Sequence, residues 1–402
     1  MFEKEKEKEK VTGADIGIEF CGYKLQSPYI LSSGPLTYGA EGMIKGFKAG
    51  CGAVVTKTIR KSAAINPVHH MGTVNNDSLI NCEKWADSDR QQWYEKEIPE
   101  TVKAGAIVIA SVGHTLEEAQ EIVGEVEKAG AHIIELVSYT EDTLIPMLDY
   151  TKAHVKIPVI CKLSGNWPDP VGTAKKCLEH GADGLCAIDS IGPTLKIDIE
   201  KARPEMMSAD GYGWMTGAAM RPISMRINAE IARNHPELKN LYASGGVMSA
   251  DNAIEYMMAG AMGAGICTVG ILKGVEYVEK LCYDLSKRLA ELGYHSIEEV
   301  NRAALPNFPK KEYVSKLDFA FEPYKEDGKK KCISCGKCVA ACCYDARTLS
   351  FPEMHVDLEK CRFCGLCLDV CPTGALTGKR AAQTEEDLEL ERKSIEFYNS
   401  FN

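Results

Sequence analysis

No apolar run in this chain is long enough to cross a bilayer, which takes about 20 residues, and no secretory leader is expected from its opening residues. Residues 3–10 alternate Glu and Lys, and residues 1–14 are read as a solvated, flexible N-terminus. A surplus of basic charge is also missing. With 402 residues and a formal net charge of −10, the chain offers no electrostatic footprint for nucleic acid. Nor does a G-x-G-x-x-G turn follow a strand. The nearest match, residues 260–265, leads into a strand instead. The chain is therefore expected to lack a dinucleotide-binding domain of its own.

Cysteine, by contrast, is abundant, with 17 in the chain. Without a leader, that abundance points to a reducing cytoplasm and to metal ligands in place of disulfides. It also suggests an anaerobic or protected setting. Eight of the cysteines fall in two runs of the form C-x2-C-x2-C-x3-C: Cys332, Cys335, Cys338 and Cys342, then Cys361, Cys364, Cys367 and Cys371. Pro372 follows the second run, whereas Cys343 stands in the corresponding place after the first. Zinc knuckles pair C-x2-C units and need no third close cysteine. The spacing instead fits two [4Fe-4S] clusters in which the fourth cysteine of each run serves the other cluster. One would be held by Cys332, Cys335, Cys338 and Cys371, the other by Cys361, Cys364, Cys367 and Cys342.

Between residues 28 and 292, short β-branched runs alternate with amphipathic helical stretches. Eight strands are expected, at 29–32, 53–57, 107–111, 132–137, 158–163, 184–189, 241–244 and 263–268. That arithmetic predicts an α/β fold, a TIM (β/α)8 barrel over residues 15–300, with a short hairpin at 16–26 closing its bottom. Residues 301–330, with Pro306, Pro309 and Pro323, are read as a linker. A small ferredoxin-like domain with two [4Fe-4S] clusters is expected at 331–378, and a tail helix at 379–402.

The chemistry of such barrels sits at the C-terminal ends of the strands. Lys57 ends the second strand and Lys162 the fifth. A lysine at the end of a buried strand is costly unless it meets an anion, either a cofactor or a barrel carboxylate. Ser244-Gly245-Gly246 follows strand seven, and Cys267-Thr268 follows strand eight, where this fold often places a phosphate. FMN suits that combination, with Ser32, Ser33 and Gly34 lining its ring and Lys162 facing the reduced flavin. Cys161 and Cys186 are read as small buried apolar residues, and His69, His70 and His114 as loop residues.

Several segments carry a resemblance: V-V-T-K-T (54–58), L-I-N-C-E (79–83), C-K-L-S-G-N (161–166), T-G-A-A-M-R-P-I-S-M-R (216–226), A-S-G-G-V (243–247) and the two cysteine runs. Over residues 15–378 the sequence resembles the dihydroorotate/dihydropyrimidine dehydrogenase flavoproteins. It is most similar to the part of dihydropyrimidine dehydrogenases in which an FMN barrel precedes two [4Fe-4S] clusters. The resemblance implies FMN contacts at Lys57, Thr58, Lys162, Gly217, Gly245, Gly246, Cys267 and Thr268. It places Asn81, Glu83, Asp189 and Ser190 where the family holds a planar ring. The implied activity is oxidation or reduction of a C=C bond beside a carbonyl in a small cyclic substrate. Electrons would come from a flavoprotein subunit or a ferredoxin, in a homodimer or hetero-oligomer.

The catalytic loop departs from the family. Where its members have N-L-S-C-P after strand four, this chain has Val137-Ser138-Tyr139-Thr140, and Asp189 replaces the usual Asn. Thr140 takes the place of the acid/base cysteine, and a threonine hydroxyl is a weak acid near neutrality. Tyr139 is the better candidate if a nearby lysine lowers its pKa, unless strand alternation points it into packing. Cys82 is a further candidate acid, and Lys57 is counted with these three among the candidate catalytic residues. The alternatives are a reductase of a non-pyrimidine heterocycle or enoate, and an electron-transfer subunit without substrate chemistry of its own.

Overall fold

The computed structural model describes residues 13–400 except 311 and 313, so most of the expected flexible N-terminus lies outside the described residues. Eight parallel strands close a barrel in chain order: β1 Tyr29–Leu31, β2 Ala53–Val55, β3 Ile107–Gly113, β4 Ile133–Val137, β5 Val159–Leu163, β6 Gly184–Ala187, β7 Leu241–Ser244 and β8 Gly263–Ile266, which pairs back to β1. These strands read as apolar runs because parallel strands are covered on both faces; every residue of β1, β2, β4, β5, β6 and β8 is buried.

The helices between them bury one stripe each. Leu116–Lys128 turns Ala119, Ile122, Val123 and Val126 inward. Its Thr115 cap accepts from the Glu118 N–H at 3.2 Å, and acids fill its first turn. The hairpin Ile18–Phe20/Tyr23–Leu25 sits at the N-terminal end of the barrel. There the Asn240 side chain, one residue before β7, accepts from the Cys21 N–H at 2.9 Å.

Insertions after β2 and β6 build a second layer at the opposite end. They form a four-stranded antiparallel sheet in the order Ile191–Thr194, Gly213–Gly217, Ser78–Asn81, Met71–Asn75. Both insertions leave the C-terminal ends of their strands, so this sheet roofs the mouth.

The chain divides into two compact units, Met1–Phe308 and Pro309–Asn402. The second holds two short helices, Lys337–Ala340 and Leu366–Asp369, and two antiparallel strand pairs, Arg347–Ser350 with Glu353–Val356 and Leu317–Phe321 with Leu376–Arg380. The reading of residues 301–330 as a linker is corrected here. Leu317, Phe319 and Phe321 alternate with Asp318 and Ala320, and that two-residue period makes an edge strand of a stretch whose prolines lie outside it. A helix, Glu385–Asn399, closes the unit. Among the described residues no helix is long and apolar enough to cross a membrane.

Candidate active site at the barrel mouth

Both strand-end lysines reach the mouth, and each arrives paired. Lys57 Nζ lies 2.9 Å from Glu83 and 3.1 Å from Asp87, and Lys162 Nζ lies 3.2 Å from Asp189. The carboxylate alternative from the sequence thus describes both. Burial works against the charge on Lys162, but Asp189 and Glu135 together hold its pKa above the ordinary lysine value. The pairing fixes two ammonium groups at the rim of one cleft.

That cleft encloses about 1060 Å³ of empty space, counted out to its open mouth. All twelve residues expected around a cofactor line it, from Ser32 on β1's end to Thr268 after β8. Three features fit a phosphorylated planar cofactor. The Ser32 hydroxyl is buried and has no hydrogen-bond partner among the described residues. Gly246 has φ +78°, and a Cβ there would fall 2.7 Å from Arg221 Cβ and 2.8 Å from the Gly217 carbonyl. Gly245 has φ +123°, with Met220 and Ser224 closing on the same space. Cys267 stands across from Gly34, and burial pushes its thiol up to about 11, so it packs as a neutral group. Thr268 donates to the Thr216 hydroxyl at 3.0 Å, and Thr58 shares a 3.1 Å hydrogen bond with Ser111.

A second compartment opens outward from the first and shares with it Asn81, Glu83, Asp189 and Ser190, the expected ring-binding residues. The Asn81 amide donates to the Trp214 carbonyl at 3.3 Å. The Ser190 carbonyl accepts from Asn166 at 3.0 Å. Tyr139 lines this outer compartment. Its ring stacks on Trp85 with centroids 3.9 Å apart and meets His114 edge-on at 4.5 Å. The expectation that a lysine lowers its pKa is corrected: burial raises it over the opposing pull of Arg60, and both lysines are tied to carboxylates.

The other two candidate acids are not brought to the mouth. Cys82 packs with Ile80 and Met206 on the far side of its strand, where burial raises its pKa. Thr140 is exposed before the helix Glu141–His154 and lies 3.1 Å from the Thr143 hydroxyl.

Three participants escaped the sequence reading. Trp85 and His114 form the aromatic wall, and His114 had been set aside as a loop residue. Glu135 lies inside the barrel, fully buried, accepting from the Tyr242 hydroxyl with one carboxyl oxygen while the other has no partner among the described residues. Burial raises its pKa, with Lys162 opposing. An acid flanked by Ile133, Ile134, Leu136 and Val137 was the available signal.

In the second unit, one small cavity is lined by Cys332, Cys335, Cys338 and Cys371, three from the first run and the fourth from the second. Backbone N–H groups already point at sulfur: Ser334 to Cys332 at 3.4 Å, Phe363 to Cys361 at 3.4 Å and Ala346 to Cys342 at 3.3 Å. Such donors stabilise thiolates that hold a cluster.

A barrel mouth of this make, in one chain with a ferredoxin-like module, defines an iron–sulfur flavoprotein oxidoreductase. The chain belongs to the dihydroorotate dehydrogenase family, which it matches over residues 16–289, and residues 331–375 match the 4Fe-4S dicluster domain. It is 27% identical over 395 residues to the NAD-dependent dihydropyrimidine dehydrogenase subunit PreA of Escherichia coli (strain K12), covering 90% of this chain and 95% of that protein. It is 28% identical over 303 residues to the catalytic subunit of dihydroorotate dehydrogenase B (NAD(+)) from Methanothermobacter thermautotrophicus, covering 70% of this chain and 95% of that one. The chloroplastic dihydropyrimidine dehydrogenase (NADP(+)) of Arabidopsis thaliana is 25% identical over 337 residues, 73% of this chain and 78% of its own length. The protein is therefore a flavin-dependent oxidoreductase acting on CH–CH groups.

Proposed function

We propose that the chain binds one FMN and two [4Fe-4S] clusters and adds or removes two electrons at a C=C bond beside a carbonyl in a small planar ring. One observation carries this reading: the lysine- and glycine-lined compartment is continuous with the Asn81/Glu83/Asp189/Ser190 compartment, so a ring held in the second would lie over a flavin held in the first. Bound there, FMN would exchange a hydride with the ring and convert that pair into single electrons for the clusters. Lys162 would face the flavin ring, and Gly245, Gly246 and Thr268 would leave room for its phosphate. Asn81 and Ser190 offer hydrogen bonds to ring amides, Trp85 offers a stacking face, and Tyr139 stands at the rim as the candidate proton donor.

The pairing of Glu83 and Asp189 narrows the ring. Four carboxyl groups (Glu83, Asp87, Asp189 and Glu135) surround two lysines, and Val137 lines the cleft where the family has an amide. This balance favours a neutral, N–H-rich ring over one that carries its own carboxylate. The name of the Escherichia coli relative, an NAD-dependent subunit, supports a partner that takes up NAD chemistry, a flavoprotein subunit or a ferredoxin-linked donor.

Anaerobically purified protein is to be analysed for iron, sulfide and flavin, then assayed with a reduced dye and a panel of cyclic amides, with and without a ring carboxylate. The expected result is about eight irons, one FMN, and turnover of neutral rings. Zinc in place of iron, or no flavin, sinks the cofactor assignment. Flavin reduction without turnover of any ring would support an electron relay instead.

A further inference from the structure

The two cysteine runs form an internal repeat. Each cysteine of the second run lies 29 positions after its counterpart in the first. The backbone repeats with it: Ser334 and Phe363 have φ 54° and 55°, and Gly336 and Gly365 have φ 69° and 82°. At the same offset, Arg347 corresponds to Leu376. Leu376 is buried, packs with Cys338 and Cys367, and lines the cavity of the first cysteine quartet. An aliphatic side chain is what such a place between cysteine quartets asks for. Arg347 occupies the equivalent place with 3% of its surface exposed.

Among the described residues no carboxylate answers its charge, and Nη2 has no hydrogen-bond partner at all. Nη1 donates only to the Met354 sulfur at 3.4 Å, and the guanidinium lies 4.3 Å over the Phe319 ring. Met354 and Phe319 both pack on the core that contains Cys338 and Cys367. In the repeat, Leu376 beside the quartet Cys332, Cys335, Cys338 and Cys371 corresponds to Arg347 beside the quartet Cys361, Cys364, Cys367 and Cys342. A guanidinium cannot shed its proton to escape burial. Burying an uncompensated charge costs several kcal/mol, so the environment of Arg347 calls for an anion.

We propose that Arg347 is a built-in counter-charge to the cluster held by Cys342, Cys361, Cys364 and Cys367, and that it raises that cluster's reduction potential above its neighbour's. The inference rests on the two-cluster reading above. A cubane held by four thiolates is anionic when oxidised and gains one further negative charge with each electron. A fixed positive charge and an N–H donor beside its sulfur therefore stabilise the reduced form more than the oxidised one. The electron comes from the donor protein and leaves for the flavin. Leu376 gives the other cluster no such support, so a symmetric repeat acquires two unequal potentials.

The test is an anaerobic redox titration of the full holoprotein followed by electron paramagnetic resonance, for wild type, Arg347→Leu and Arg347→Lys, after iron and sulfide are counted in each. Arg347→Leu copies the residue that the other half of the repeat already uses. At the wild-type midpoint its reduced-to-oxidised ratio at one cluster should fall about tenfold, which is 59 mV for a one-electron couple. The other cluster should move less, and Arg347→Lys should recover most of the shift. Full iron content with both potentials unmoved overturns the proposal. If the leucine variant does not keep its iron, Arg347→Gln takes its place under the same criterion. Wild-type protein without about eight irons refutes the two-cluster reading itself, a separate result obtained before any titration.

Discussion

At the scale of single residues, the mouth is governed by which groups keep their charge and which are held neutral. Tyr139 has its pKa raised by burial, so it stays protonated through neutral pH and can only give a proton. With the flavin reduced beforehand, Tyr139→Phe should slow reoxidation by substrate by about 10²–10⁴-fold. Cys82→Ala should leave the rate alone, because Cys82 faces Ile80 and Met206. The reverse pattern would remove Tyr139 from the mechanism. Glu135 makes a pH prediction. Its folded-state pKa is raised above the ordinary glutamate value of about 4.3. Its contribution to stability is therefore complete below that value and is lost as pH rises through the raised one. Glu135→Gln cannot ionise, so its unfolding midpoint should gain on wild type as pH rises above the ordinary glutamate value; a gap that stays constant with pH would show that Glu135 does not titrate in the folded protein.

At the scale of elements, the eight barrel strands were legible because strands covered on both faces are short apolar runs between turn residues. The roof was not. Met71–Asn75 and Ile191–Thr194 carry no buried residue and little apolar periodicity, since they are held by pairing with Ser78–Asn81 and Gly213–Gly217 over the mouth. The lysines were legible as mouth residues, but their partners were not, because Asp87 and Glu83 come from the connection after β2 and Asp189 from the end of β6. Arg347 was invisible for the same reason: only the fold shows that its neighbours are sulfur, thioether and phenyl groups. The glycine turn after β7 was visible in both, and it yields a prediction. Gly246→Ala must hold a side chain at φ +78° against Arg221 and the Gly217 carbonyl. Strain of this kind costs about 1–3 kcal/mol, so FMN affinity should fall roughly tenfold while the iron content of the second unit is unchanged. Full flavin retention on dilution would show that the turn does not cradle the cofactor.

At the scale of the whole molecule, the question is where electrons enter. Neither unit places a G-x-G-x-x-G turn between a strand and a helix, and the glycine turns of the barrel mouth are taken up by the proposed FMN site. The second unit, in contrast, brings cysteine to its surface: Cys335 and Cys364 are exposed, one in each run. Beside the runs stand Ile333 and Leu358, apolar side chains 60% and 63% exposed. An apolar rim beside exposed cysteines of the proposed clusters suits brief docking of a small redox protein. NADH or NADPH added to the purified chain alone should therefore reduce neither flavin nor clusters at a useful rate. A reduced ferredoxin or a partner flavoprotein should reduce both, and Ile333→Lys together with Leu358→Lys should slow that reduction without changing the rate at which a small-molecule dye reduces the same protein. Anaerobic stopped-flow absorbance follows all of these. Rapid bleaching of the flavin by NAD(P)H without a partner would mean that the mouth accepts the nicotinamide directly, and the clusters would then have to be read as an exit for electrons instead of their entrance.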